Sequence, residues 1–193
     1  MRIKNVLNVF AVVAVMLVCS NLPAATAREI GGVQLPDTME LAGKTLPLNG
    51  AGLRTKFFFK IFAGGLYTQT PLHDGNDVIN ADSPMLIRLH FIFDGLSPEK
   101  LQNGWKEGFE LTAPQATGEL KQAITTYIAM FSDEIHENDI YDISWQPGHA
   151  LDVVHNGKLL GTINLLDFKK ALYAIWLGSE PVDDDFKEGL LGR

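Results

Sequence analysis

NGAGLRTKFFFKIFAGGLY, residues 49–67, is rich in β-formers and shows no helical stripe. With TLPL before it, the segment reads as two strands or one long bent strand, with Gly50, Gly52, Gly64 and Gly65 as bulges or points of close approach. Within this apolar stretch stands one arginine, Arg54, and Tyr67 closes it. A guanidinium in an apolar layer is costly unless an anion meets it, and that anion belongs either to the protein, which has 23 acidic residues, or to a ligand. Arg54 and Tyr67 are 13 residues apart, an odd spacing that puts them on opposite faces of a regular strand. A bulge at Gly64-Gly65 or a tight turn near Lys56 resets the parity and brings both to one side. There the forked N–H donors and the phenolic O–H suit a carboxylate or an enolate-like oxygen. The run Phe57, Phe58, Phe59 and Phe62 reads as ordinary core with rings on both faces. A sheet apolar on both faces needs two covers, and a ligand cavity is one.

Outward from this segment, Met85–Phe93 (MLIRLHFIF) is a further strand, with Met85, Ile87, Leu89, Phe91 and Phe93 on one face and Arg88 and His90 on the other. Helices follow. Ser97-Pro98 is a cap with proline at the first helical position, and Leu101, Trp105 and Phe109 form one apolar stripe. Beyond Pro114 a second amphipathic helix runs from about Thr117 to Phe131, with Leu120, Ile124, Tyr127, Ile128 and Phe131 as its stripe. Strands return in IYDISW and ALDVVHNGKLLGTI, where Asn156-Gly157 is a type I′ hairpin signal. Asp167 is read as the cap of a last main helix stopped at Gly178, and a short tail helix follows Asp183. Asp183–Asp185 reads as acidic helix-start chemistry. Hairpin-linked strands with helices gathered in blocks predict an α+β fold, a large antiparallel sheet with a layer of helices on one face.

The first residues read as an export signal. Arg2 and Lys4 precede an apolar core from Val6 to Cys19, and Ala25-Thr26-Ala27 is a small-residue cleavage site. The apolar run is shorter than the ~20 residues of a membrane span. This divides the chain into a signal peptide, 1–27, and one domain, 28–193, and places the mature protein in the periplasm or outside the cell. Cys19 is the sole cysteine and leaves with the signal, which excludes thiol nucleophiles and cysteine metal sites. The chain carries 16 basic and 23 acidic residues, net −7, without a basic run, so composition offers no footprint for nucleic acid or an anionic membrane. The five histidines, at 73, 90, 136, 149 and 155, form no ligand-like cluster, and no metal or cofactor is expected. No nucleophile elbow and no phosphate-cradling loop is present.

The segments GVQLPDTM, LPLNGAGLRTKFFFKIFAGGLY, LSPEKLQNGWKEGFE, GKLLGTI and IWLG resemble the chalcone isomerase-like family, in particular its exported bacterial members, from about Ile30 to Gly192. The resemblance implies an open-faced β-sandwich with a cleft between sheet and helices. It also implies one of two activities: ring closure of a chalcone, or binding of a fatty acid in the same cleft. By that resemblance the family arginine falls on Arg54, and the tyrosine that helps hold the carboxylate falls on Tyr67. The isomerase threonine position holds Phe62, Ser97 stands at or near the isomerase tyrosine, and Asn103 lies within one residue of its asparagine. The ligand-binding set so implied is Arg54, Tyr67, Phe62 and Asn103, with no catalytic residue assigned. Arg54 kept while hydroxyl partners disappear reads as a non-catalytic binding protein for a fatty acid or similar apolar carboxylate, the tail lying against faces such as Leu101, Trp105 and Phe109. An isomerase or intramolecular lyase acting on a phenolic or enone substrate is the alternative, and a cleft filled by the protein's own side chains, with Arg54 structural, is a third. The ligand, oligomeric state and protein partners are not encoded in these signals.

Overall fold

Glycines at Gly50, Gly52 and Gly64 let a helix lie directly on a pair of strands. The computed structural model describes residues 27–193; the segment that the sequence reads as an export signal, apart from Ala27, lies outside the described residues. A seven-stranded antiparallel sheet runs in the order β3 (Thr38–Leu41), β4 (Lys44–Lys56), β5 (Phe59–Thr68), β6 (Met85–Phe91), β7 (Ile140–Gln146), β8 (Ala150–His155) and β9 (Lys158–Ile163). Every neighbour pair is a hairpin or a simple return, which gives the α+β architecture expected from the strand and helix blocks. At the β8–β9 turn Asn156 and Gly157 both take positive φ, 48° and 80°, the backbone a type I′ hairpin requires.

Three strands, β3 among them, precede those read from the sequence. β1 (Ala27–Ile30) and β2 (Val33–Pro36) form a separate ribbon, and its Val33 and Leu35 pack with Ala51 and Ala63. This ribbon covers part of the sheet face that the helices leave free. The other face carries the main core, closed by α2 (Pro98–Thr112), α3 (Gly118–Ala129) and α4 (Leu166–Leu177), with α1 (Gly75–Asn80) against α4 and α5 (Asp184–Leu190) on β4.

Helix starts follow the sequence in two of three cases. Ser97 Oγ accepts from Lys100 N, and Asp183 accepts from Phe186 N at 2.9 Å. For α4 the expectation is corrected: Leu165 is the N-cap, with no side-chain cap bond, and Asp167 stands inside the first turn, where its charge still suits the positive helix end. α4 is buried around nearly its whole circumference, and this includes Lys169.

Candidate functional site

Residues opposite one another in an antiparallel pair share a face, and Arg54 stands opposite Phe62, Gly52 opposite Gly64, and Gly50 opposite Leu66. This face looks toward α5. A Cβ at Gly50 would come within 2.5 Å of Leu190 O, one at Gly52 within 2.8 Å of Phe186 O, and one at Gly64 within 2.5 Å of the Phe186 ring. Glycine is therefore required in this trough for contact, and it is filled by α5 with Phe186 fully buried and edge-on to Phe62 at 5.4 Å.

Arg54 lies at the open end of the trough and holds a carboxylate there. Its Nη1 donates to Asp183 Oδ2 at 2.9 Å and also to the Thr55 carbonyl, and both members of the ion pair are mostly buried. Asp183 Oδ2 accepts from Thr55 N at 3.3 Å, while Oδ1 caps α5. One carboxylate thus starts the terminal helix and latches it to β4. The far end of α5 is held by Asn49, whose Nδ2 donates to Leu190 O at 2.9 Å and to Leu72 O at 2.8 Å.

Tyr67 is not brought to Arg54. The β4–β5 pairing slips between Arg54 and Thr55 and again between Leu48 and Gly50, yet Phe62 and Tyr67 remain five residues apart on one strand, so Tyr67 faces away from α5. Neither Gly64-Gly65 nor the hairpin turn restores the parity that would unite the two side chains. Tyr67 packs instead with Leu41, Leu46 and Leu86, its ring drawn back over Gly65. Its hydroxyl has no hydrogen-bond partner among the described residues; burial pushes its pKa up, against the pull of the nearby Arg88. Arg88 itself makes a two-pronged pair with Asp142, both contacts at 2.7 Å. Asn103 is exposed on α2, where it accepts from Lys106 Nζ at 3.4 Å, and Ser97 serves as a helix cap.

The cleft expected along Leu101, Trp105 and Phe109 is filled by the protein. Trp105 lies 5.1 Å from Tyr127, 5.2 Å from Phe131 and 5.6 Å from Trp176, and Phe109 5.7 Å from Phe168, ring centre to ring centre. Open space lies on the outer side of the helices. A concavity of about 400 Å³ runs between α2 and α3, with Phe109, Ile124 and Ile128 in its wall beside Lys106 and Lys121. Another, of about 760 Å³, surrounds the α2–α3 connection and the ends of α1 and α4.

The sequence profile of the chalcone isomerase-like family matches residues 27–192. The chain belongs to the chalcone isomerase-like family. Among curated proteins it is similar to Fatty-acid-binding protein 1 of Arabidopsis thaliana, 25% identical over 178 residues that cover 77% of this chain. The chain spans 64% of that relative's length. Among solved structures it is similar to an Arabidopsis thaliana fatty-acid binding protein, with a TM-score of 0.67, 20% identity, and coverage of 83% of this chain and 92% of the other. At that identity the likeness speaks for the fold, which in both is that of the chalcone isomerase-like family.

Two residues of the trough, and one in the core under α1, escaped the sequence reading. Asp183 was legible as a helix start, but nothing local connects it to Arg54, 129 positions away. Phe186 sits in a short acidic tail whose burial depends on the distant glycines. Lys169 sits in FKKALYAIWLG, where a lysine reads as solvent-facing; it is fully buried, and burial lowers its pKa to about 8.

Proposed function

We propose that this member of the chalcone isomerase-like family is a non-catalytic, exported periplasmic binding protein for a fatty acid or similar apolar carboxylate. Arg54 is the carboxylate anchor, Phe62 is part of the apolar wall, and α5 is the element that gives way. The observation that carries this reading is that Arg54 already grips a carboxylate at the mouth of an apolar trough. Asp183 stands where a ligand headgroup would stand, and the Phe186 ring where the first part of a tail would lie. Exchange of one carboxylate for another leaves the guanidinium paired throughout, which avoids the large penalty of a buried unpaired charge. Unseating Phe186 costs about 3 kcal/mol, whereas burying some ten methylenes contributes on the order of 8 kcal/mol before ordering costs. Long-chain acids therefore displace α5 and short ones do not. The names of the Arabidopsis relatives support the ligand class.

The isomerase alternative has no observation in its favour at Arg54. The residue directly across the strand pair is the phenyl of Phe62, and Ser97 and Asn103 are engaged elsewhere. A second reading of the binding site does have one: the α2–α3 groove joins an apolar wall to Lys106 and Lys121, which also suits a carboxylate.

Native mass spectrometry of the mature chain, with organic extraction of what co-purifies, tests the proposal. The wild type is expected to carry fatty acid, and Arg54→Ala is expected to lose it while keeping the wild-type circular dichroism spectrum. Fatty acid retained by Arg54→Ala but lost on replacing Lys106 and Lys121 would move the site to the α2–α3 groove.

A further inference from the structure

The β4–β5 hairpin ends in three phenylalanines that the sequence assigns to the core. Phe57 is 87% exposed, Phe58 100% and Phe59 59%. The expectation fails because the chain turns at residues 57–58, so the Phe57 and Phe58 rings stand at the end of the strand pair with almost nothing packed over them. Phe59 alone has an aromatic neighbour, Phe93, edge-on at 5.6 Å.

The turn itself is an expensive one. Phe57 adopts φ 58°, a left-handed conformation that a bulky residue rarely takes. At the β8–β9 hairpin of the same sheet, a two-residue turn is made with Asn156-Gly157 at little cost, both residues at positive φ, whereas in the Phe57-Phe58 turn only Phe57 is, a geometry that favours glycine at the first position. The phenylalanines are thus not what the turn requires. Lys56 and Lys60 flank them on the two strands, Lys56 directly across from Phe59, in a chain that is otherwise net acidic.

We infer that this hairpin tip docks the protein on a lipid bilayer, with Phe57, Phe58 and Phe59 entering the boundary between headgroups and acyl chains and Lys56 and Lys60 reaching back to the phosphates. Exposed rings between long cationic side chains are the chemistry that the membrane interface selects. Rings that project freely from a turn, one of them open on every side, suit a fluid layer that closes around them better than a shaped protein pocket. The depth also fits. Arg54 lies three residues before Phe57, about 10 Å at the rise of a strand, so rings inserted by that order of depth bring the guanidinium to the headgroup level. No helix among the described residues is long and apolar enough to cross a membrane, and docking through a hairpin tip needs none. The inference stands on the tip's own exposure; it takes its purpose from the fatty-acid reading, since such a ligand partitions into bilayers and would be taken up at their surface.

The test is flotation of the mature protein with vesicles of phosphatidylcholine containing a minor fraction of phosphatidylglycerol. The variant is Phe57→Gly with Phe58→Ser, which puts glycine at the residue of positive φ and so keeps or raises stability. The wild type is expected to float with the vesicles and the variant to bind at least about tenfold more weakly, as two lost apolar anchors dictate. A Phe58→Trp protein is expected to show a blue-shifted emission on adding the same vesicles. Wild type that stays in the aqueous fraction, or a variant that floats as well as the wild type, overturns the inference, as does tryptophan emission that shifts only on adding a protein extract. Fatty-acid binding in vesicle-free buffer separates the two proposals: vesicle binding without fatty-acid binding leaves the docking tip standing and removes the ligand reading.

Discussion

Lys169→Met is expected to lower global stability by about 3–5 kcal/mol, read as a fall in the urea midpoint at unchanged slope. The fully buried ammonium donates to three backbone carbonyls, Val78 O at 2.7 Å, Ala81 O at 2.9 Å and Ile79 O at 3.0 Å. These lie at the C-terminal end of α1, where a helix leaves carbonyls without internal partners and its dipole favours a cation. Methionine fills the volume of the aliphatic stem and leaves all three acceptors unpaired in the core. Burial lowers the lysine pKa to about 8, so at neutral pH the group remains mainly charged and meets those acceptors as a cation. A loss below about 1 kcal/mol would mean that water reaches these carbonyls, contrary to their packing under α4.

Phe186→Ala has the second large effect, a loss of about 3 kcal/mol that falls mainly on the docking of α5 rather than on the whole domain. Phe186 is the plug of the glycine trough, buried against Phe62 and Gly64. Its removal is expected to raise hydrogen exchange in α5 and along β4 well before the strands β6–β9 respond. Because the same space is assigned to the ligand tail, fatty-acid affinity is expected to hold or rise in this variant. A fall in affinity parallel to the fall in stability would show that Phe186 belongs to the binding wall.

What could be read from the sequence was what is encoded locally. The strand character of residues 45–67, the close-approach glycines, the Ser97-Pro98 start of α2 and the Asn156-Gly157 turn each follow from a few adjacent residues, and each is found in the structure, where the segment takes the two-strand alternative. Parity along two strands was the first thing that could not be read. Whether Arg54 and Tyr67 share a face depends on where the chain turns and where its register slips, and one residue in either place reverses the answer. The same turn position decides whether Phe57–Phe59 is core or tip. The second was the long-range pairing: the anion facing Arg54 comes from Asp183 at the start of α5, and Lys169 is buried by an α1 terminus that sequence proximity does not bring near. The question raised by a lone arginine in an apolar strand thus has an answer in the structure: the anion is the protein's own, held at the mouth of a trough.

Titration calorimetry of the delipidated mature chain with saturated fatty acids of increasing length, on wild type, Arg54→Ala and Asp183→Asn, tests that exchange most directly. Asparagine still caps α5, so Asp183→Asn removes the competing charge while leaving the helix start intact. The account predicts affinity rising with chain length, a loss of about a hundredfold in Arg54→Ala, and a gain of about tenfold in Asp183→Asn. Equal affinity in Arg54→Ala and wild type, or a loss in Asp183→Asn to match that of Arg54→Ala, would contradict it and leave the Arg54–Asp183 pair as a structural latch.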